Sequence, residues 1–416
     1  MHKQRSKRAC PVCKSETSYF IKEFNFVLFD GHPMRDGYDL VHCSNCNFVY
    51  ADTTITQHDL DDYYANLSKY ESKSISTGGG YTTYDKERLI VTADYIHSQL
   101  PDLNKRILDL GCASGGLLKE LKHLGYRNIA GIDPSIACVN ITRREVQCDC
   151  FQFSLFDDYE ETVGKFDLII LSHVMEHILD VDAAMNKLLG LLNPGGCVYI
   201  ECPNASNYKN IVHSPFQEFN TEHINHFNLV SFVNLFSAYG FTKQHGGTKL
   251  MKLASNQDYD AVYSIFRRGS DKALSNAIGP DEHILSEIAL YISRSEVIFE
   301  HMNRQINNAL NWNGKIALLG IGQLAFKLLL NPTIQFDSDM LFLFDNNAMN
   351  VGKTINGIKV RPGEQIAELV EKYQFPIIIT STIFEKELRE QLIKMFQNSK
   401  SIKPEIIGLS ESIYVA

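Results

Sequence analysis

Between Asp85 and about Gly269 the chain alternates amphipathic stretches with short apolar runs. The runs are Arg106–Leu110, Ile129–Ile132, Phe166–Leu171 and Cys197–Glu201, with helical patterns such as Leu117–Leu124 and Ala183–Leu192 between them. Short, continuously apolar strands separated by helices predict βαβ units and a parallel sheet. Upstream, residues 1–50 combine cysteines and turn residues with β-like runs such as Phe24–Phe29. Residues 51–84 are polar and Tyr-rich and contain Gly78-Gly79-Gly80, a composition suited to a linker or a lid. In residues 270–312, Ile284, Leu285, Ile288, Ile292 and Ile298 stand near helical spacing. A second strand–turn–helix unit begins at Lys315. The expected organisation is four consecutive blocks, 1–75, 76–269, a helical linker 270–312, and 313–416.

A length of 416 residues fits two or three domains rather than one core. With 44% hydrophobic and 21% charged residues the chain reads as globular and soluble. Its net charge of −9 argues against nucleic acid as a partner. Lys3, Arg5, Lys7 and Arg8 read as a solvated, frayed arm. No stretch reaches the ~20 apolar residues that a membrane helix needs, and Cys10-Pro11 follows the basic start where a signal peptide would turn apolar. A cytoplasmic protein with no membrane partner is expected.

Four of the ten cysteines form two CxxC pairs, Cys10/Cys13 and Cys43/Cys46, with 29 residues between the pairs. Each pair can supply two thiolates from one turn, and four thiolates complete a closed tetrahedral zinc site. The expectation is structural zinc in block 1–75. Cys112, Cys138, Cys148, Cys150, Cys197 and Cys202 lie in or beside apolar segments and read as small buried hydrophobes.

The stretch most informative about chemistry is Asp109-Leu110-Gly111-Cys112-Ala113-Ser114-Gly115-Gly116, where a strand runs into a small-residue turn and then a helix. Glycines there let backbone amides approach a ligand. Asp133 ends the next strand 22 residues after Gly111, where a carboxylate can accept both hydroxyls of a ribose; Pro134-Ser135 then reads as a helix start. Together these predict a nucleoside site. Ser172-His173-Val174-Met175-Glu176-His177 closes another strand. His173-x-x-Glu176-His177 also matches an inverted zinc-protease pattern, but its place after a strand of this series favours a cofactor pocket.

This series closely resembles the class I S-adenosylmethionine methyltransferases over about 185 residues. The resemblance implies S-adenosylmethionine as cofactor, with Asp109, Gly111, Cys112, Ala113 and Gly115 around its methionine portion and Asp133 and Pro134 at its ribose. It also implies that Ser172 and His173 line the pocket, while Glu176 and His177 cap or pack the following turn.

Further on, Glu222-His223 follows the strand that ends at Pro203-Asn204. Here the chain resembles the bacterial nucleotide-sugar C-methyltransferases, which join a zinc-binding N-terminal domain, a methyltransferase core and a Rossmann-like C-terminal domain. The resemblance implies that His223 is the base, with Glu222 orienting it or contacting the acceptor. An imidazole titrating near neutrality suits removal of a proton beside a ketone. His223 and His226 could instead brace a loop; His226, His173 and a tyrosine of the Tyr63–Tyr84 stretch are the other candidate bases. The family carries a tyrosine where this chain has Asn220, which leaves O- or N-methylation open beside C-methylation.

Near the C-terminus, Gly320-Ile321-Gly322-Gln323-Leu324-Ala325 fits a dinucleotide fingerprint, with Asp345 25 residues beyond Gly320. With Gly352-Lys353 and Pro362-Gly363, the resemblance implies a domain that helps hold a nucleotide-sugar; NAD binding or a structural role are the alternatives. The expected fold is α/β, a Rossmann-like methyltransferase core between a zinc-binding domain and a second Rossmann-like domain. The expected function is methylation of a nucleotide-linked sugar. A non-catalytic S-adenosylmethionine-binding scaffold and an NAD-dependent sugar-modifying enzyme are the competing readings.

Overall fold

The structure, a computed structural model, describes residues 3–66, 78–254, 257–269, 279–397 and 403–415. It opens with strands β1 (Lys3–Arg5), β2 (Thr17–Asn25), β3 (Gly37–Cys43) and β4 (Val49–Asp52), followed by helix α1 (Gln57–Asn66). Two expectations are corrected here. The β-like run at Phe24–Phe29 is strand only as far as Asn25, because Phe26–Phe29 leave the ladder. The basic arm is ordered: β1 pairs antiparallel with β2, and the amides of Lys7 and Arg8 donate to Asp52 Oδ2 and Oδ1 at 3.1 and 3.0 Å. Backbone pairing to a buried carboxylate outweighs the solvation that the charges would otherwise favour.

The alternating region yields α2 (Thr83–Gln99), β5 (Ile107–Leu110), α3 (Gly116–His123), β6 (Ile129–Asp133), α4 (Ile136–Val146) and β7 (Asp149–Gln152). Then follow α5 (Glu160–Val163), β8 (Phe166–Ser172), α6 (Val181–Leu191), β9 (Leu192–Pro203), β10 (Asn225–His226), α7 (Leu229–Ala238), β11 (Phe241–Ala254) and β12 (Gln257–Arg268). Seven strands form one sheet in the order β11-β12-β9-β8-β5-β6-β7. The five from β9 to β7 are parallel; β12 runs antiparallel to β9, and β11 to β12. The alternation within each strand explains the layers. On β8, Leu168 and Ile170 face a core built with Leu89, Ile96, Leu118 and Val139, while Ile169 and Leu171 face one built with Met185, Leu188, Phe232 and Phe236. Helices α2 to α4 cover the first face and α6 and α7 the second. The chain order reverses between β5 and β8, the position where open parallel sheets bind ligands at their carboxyl ends.

β10 joins the N-terminal strands, giving the order β1-β2-β3-β4-β10, with Asn225 paired to Tyr50 and His226 to Val49.

Contacts divide the chain into two interleaved units. The first takes Met1–Lys22, Asp39–Asn207 and Glu222–Leu285; the second takes Glu23–Tyr38, Tyr208–Thr221 and Ser286–Ala416. The stretch expected as a linker contributes α8 (Ile284–Asn313), nearly all of it within the second unit. There, Ile288, Tyr291, Ile298 and Met302 are fully buried, because a 30-residue amphipathic helix needs a partner for its apolar face.

The second unit continues with β13 (Ile316–Leu319), α9 (Gln323–Leu328), β14 (Leu341–Asp345), β15 (Thr354–Ile355), β16 (Ile358–Pro362), α10 (Ile366–Tyr373), β17 (Ile377–Ile379), α11 (Glu385–Gln397) and β18 (Ile406–Gly408). Its sheet has the order β15-β16-β14-β13-β17-β18, parallel except for the β15–β16 hairpin. Among the described residues no helix is long and apolar enough to cross a membrane.

Candidate active site

The loop after β5 is shaped by three left-handed residues, Gly111 (φ 76°), Ala113 (φ 47°) and Gly115 (φ 77°). Glycine is required at two of them. A β-carbon at Gly115 would stand 2.7 Å from Thr142 and one at Gly111 2.8 Å from Val174. Asp133, at the end of β6, closes the loop: its Oδ2 accepts from the Ala113 amide and its Oδ1 from the Ser135 amide, both at 2.9 Å. Ser135 also caps α4, accepting from the Cys138 amide at 3.2 Å, which agrees with a helix start after Pro134. Asp109 lies buried in β5; burial and then the charge of Asp133 push its carboxyl up to about 8. Cys112 is buried with its Sγ 3.7 Å from that of Cys150, both as thiols.

Gly78–Gly80, taken above for a linker or lid, belong to this loop; residues 67–77 lie outside the described residues. The Gly116 amide donates to the Gly78 carbonyl at 2.9 Å, and the Gly78 and Gly80 amides donate to Asp85 Oδ2 at 2.9 and 2.7 Å. Arg88 pairs with Asp85 Oδ1 at 2.9 Å, and both side chains are buried. No local pattern announces this cluster, because its glycines and charges resemble loop and helix surface until they are folded together.

Ser172 ends β8 and His173 follows it. His173 takes a left-handed φ of 59° while its amide donates to the Glu201 carbonyl at 2.8 Å. Its Nδ1 lies 3.1 Å from Glu176 Oε1 and its Nε2 3.4 Å from Glu201 Oε1. Burial opposes charge on this ring, but the two carboxylates outweigh it and raise the histidine above its ordinary value. Glu201 is fully buried; burial would raise its pKa, yet Lys249 Nζ at 2.9 Å and His173 hold it well below the carboxylate range. Lys249, from β11, also donates to Thr92 Oγ1 at 2.7 Å. Sequence reading missed both Glu201 and Lys249: a glutamate in an apolar strand and a lysine in an exposed hairpin carry no sign of pairing.

The segment after His173 is a single 3-10 turn, Met175–His177, rather than the longer helix that a zinc-protease pattern needs. Its residues do more than cap. One ligand atom each from Glu176, His177 and His223 lie within 4.8 Å of one another, and the His177 and His223 rings meet edge to face at 5.0 Å. His177 Nδ1 donates to the Glu222 carbonyl at 2.9 Å. Burial drives His177 down to about 4. Glu176 falls to about 2: burial opposes the shift, but the bond to His173 and the nearby imidazoles prevail. The Glu222 side chain is buried and His223 half-buried. His226 is buried, and burial keeps it neutral, well below the usual imidazole range.

The four knuckle cysteines also converge. Sγ separations are 3.6 Å for Cys10–Cys46 and 3.3 Å for Cys13–Cys43, and all four lie within 4.8 Å of one another. Thiolates around one zinc at ~2.3 Å stand about 3.8 Å apart, so the set fits that ion. Both turns are built alike: the Lys14 and Asn47 amides donate to the Cys10 and Cys43 carbonyls at 2.9 and 3.1 Å, and both residues are left-handed. This sheet carries the loop of Glu222 and His223. The Ala51 amide donates to the Ile224 carbonyl at 2.9 Å, and Arg8 donates to that carbonyl at 2.9 Å and to Asn225 Oδ1 at 2.6 Å. Of the other six cysteines only Cys148 is half-buried; the rest are buried.

In the second unit, Asp345 Oδ2 accepts from the Ile321 amide at 2.8 Å and its Oδ1 from the Asn347 amide at 2.7 Å. Beside it a hollow of about 280 Å³ is lined by Asn346, Gly363, Glu364 and Gln391 with apolar neighbours.

Residues 82–245 match the family model described as a methyltransferase domain. A ubiquinone biosynthesis O-methyltransferase of Xanthomonas oryzae pv. oryzae is 30% identical over 121 residues, 28% of this chain and 50% of the relative. The mitochondrial ubiquinone biosynthesis O-methyltransferase of Homo sapiens is 29% identical over 133 residues, 29% of this chain and 35% of the relative. The chain thus spans half the length or less of these two curated relatives. Among solved structures, magnesium protoporphyrin IX methyltransferase from Synechocystis PCC 6803 with bound SAH is similar at a TM-score of 0.41 and 14% identity, over 51% of this chain and 100% of that one. Residues 82–245 of this chain are thus similar to a methyltransferase domain.

Proposed function

We propose that this chain is an S-adenosylmethionine-dependent methyltransferase whose acceptor is a small molecule, a nucleotide-linked sugar. One observation carries the reading: the segment Ser172–His177 lies against the cofactor loop at one end, Val174 on Gly111, and against His223 at the other, through His177. A methyl donor at the loop and a base at His223 would then serve one reaction. Asp133 would hold the ribose, the amides of Gly111–Gly115 and Asp109 the methionine portion, and His173 the pocket wall. Bound S-adenosylmethionine supplies an electrophilic methyl group. His223 takes the proton from the acceptor, either from carbon beside a ketone or from a hydroxyl, and Glu222 contacts the acceptor or orients the base. The Glu222 carbonyl fixes the His177 tautomer. The four knuckle cysteines are assigned structural zinc, which would brace the loop of His223 through β4 and β10.

The proposed organisation keeps the order of the blocks, a zinc-binding domain at 1–75, the core at 76–269, the helical segment 270–312 and a Rossmann-like domain at 313–416 that recognises the nucleotide moiety. Methylation of a hydroxyl is the second reading; the names of the ubiquinone O-methyltransferase relatives favour it. A screen of nucleotide-sugars and phenols with labelled methyl donor tests both. With the true acceptor, His223→Ala should lower turnover roughly 100-fold or more at nearly unchanged cofactor affinity. Near-normal turnover in that variant would remove His223 from the role of base.

A further inference from the structure

We infer that Glu176, His177 and His223 form a second metal site, separate from the four cysteines, which takes a divalent transition ion and, when filled, removes His223 from proton transfer. The three side chains offer two imidazole nitrogens and one carboxylate oxygen within 4.8 Å of one another. That donor set suits zinc, cobalt or iron in their divalent states and leaves positions open for water.

Two of the three ligands are already oriented for this task. A ring nitrogen facing a carbonyl must donate to it, so the His177 bond to the Glu222 carbonyl puts the proton on Nδ1 and the lone pair on Nε2. Metal-binding histidines are held in the same way by a backbone carbonyl or carboxylate behind them. Nε2 lies 3.9 Å from Glu176 Oε1, and His173 Nδ1 at 3.1 Å fixes that carboxylate from the other side. Among the described residues Glu176 Oε2 is buried with no nitrogen or oxygen donor on it, and the Cys202 thiol interacts with this carboxyl group. A buried carboxylate oxygen without a full complement of donors is costly, and a cation would relieve that cost. Ligands around one ion at about 2.1 Å stand about 3.4 Å apart, so the three side chains must draw closer to share an ion, and His223 is the least buried of them.

Coordination consumes the lone pair with which His223 would accept a proton. No bond of the acceptor is made or broken by the metal; the ion competes with a proton for one nitrogen. The inhibitory half of this inference rests on the proposed role of His223 as base, whereas the binding half does not.

The test uses the full chain with its cysteine site loaded with zinc. Cobalt(II) added to it should bind one further equivalent per chain, with the weak visible bands of nitrogen and oxygen ligation and without the intense near-ultraviolet bands of thiolate ligation. His177→Gln and, separately, Glu176→Gln should each weaken that second equivalent roughly tenfold or more and leave the cysteine-bound metal in place. Added zinc should inhibit methyl transfer in competition with the acceptor and leave cofactor affinity unchanged. No second equivalent at millimolar cobalt overturns the inference, as does a second equivalent that both variants bind normally. Binding without inhibition overturns its inhibitory half. If His223→Ala kept its turnover, the reading of the base would fall while cobalt binding by the wild-type chain still stood.

Discussion

Asp133 and Asp345 end equivalent strands in the parallel parts of two sheets, and each is tied down in the same way. One carboxylate oxygen accepts from an amide of the preceding strand's glycine loop, the other from the amide two residues onward. The surroundings differ. Asp345 Oδ2 also accepts from Asn350 Nδ2 at 2.9 Å, and the same nitrogen reaches the Ile321 carbonyl at 3.0 Å, so the asparagine clamps loop and carboxylate together. The residue five beyond Asp133 is Cys138, a buried thiol in α4. The helices that follow differ too: α3 has 8 residues and α9 has 6. A strand-end acid facing a glycine loop is therefore first a folding device, stapling two βα units by their backbone. At Asp345 an asparagine side chain takes a further place on the same carboxylate. If the second unit recognises a nucleotide, Asp345 is poorly placed to take the ribose as Asp133 would.

The sharpest way to break this comparison is to remove each acid. Asp133→Ala should lose two charge-assisted hydrogen bonds to a ribose, on the order of 1.5–3 kcal/mol each, and so weaken S-adenosylmethionine binding by roughly 100-fold or more in calorimetry. Asp345→Ala should lower the melting temperature yet leave that affinity unchanged. Equal loss in both variants would mean that the two acids do the same work.

The glycines give the next test. Gly115→Ala forces a β-carbon into Thr142 at φ 77° and should cost about 1–3 kcal/mol in denaturant unfolding.

A pH titration separates the sites further. Asp109, pushed up to about 8, is mainly protonated at pH 6. A cationic ligand should therefore bind more tightly as pH rises, by roughly tenfold per unit between pH 6 and 7.5, and Asp109→Asn should flatten that slope. The ligand-free fold follows the opposite sign. Its contribution from Asp109 is complete below the unfolded carboxylate value near ~4 and is lost as pH rises through about 8.

The smallest effect is expected at Gly322. Its φ is −138° and a β-carbon there meets nothing within 4 Å, so Gly322→Ala should change stability by less than about 0.5 kcal/mol. A loss of activity without loss of stability in that variant would point to a ligand approaching the backbone.

How much of this was legible in the sequence depends on how far apart the partners lie. The loop Asp109–Gly115, the β5, β6, β8 and β9 strands and the helix start at Ser135 follow from local pattern, since each is encoded within a dozen residues. The convergence of the CxxC pairs followed from chemistry that only a shared centre satisfies. What escaped notice is non-local. Arg8 beside Asn225, Lys249 beside Glu201 and Gly78 on α3 are contacts between segments that carry no mark of one another. Helix α1 was missed because its polar composition lacks a clear apolar stripe. His177 was read as a turn residue because its meeting with His223 depends on how a loop 45 residues onward returns.

Strand β10 has only two residues, yet it closes a loop of more than 170 along the chain, from Tyr50 to Asn225. Chain entropy disfavours so distant a contact until the segments between have been organised. The loop of His223 should therefore be among the last parts of the first unit to form and among the first to loosen. Its amides at Ile224–Phe227 should exchange hydrogen sooner than those of β5 or β8, even though they are as deeply buried. Tethering by Arg8 and the cysteine turns then sets how often the loop opens, so the N-terminal 50 residues govern a rate of opening as well as a shape.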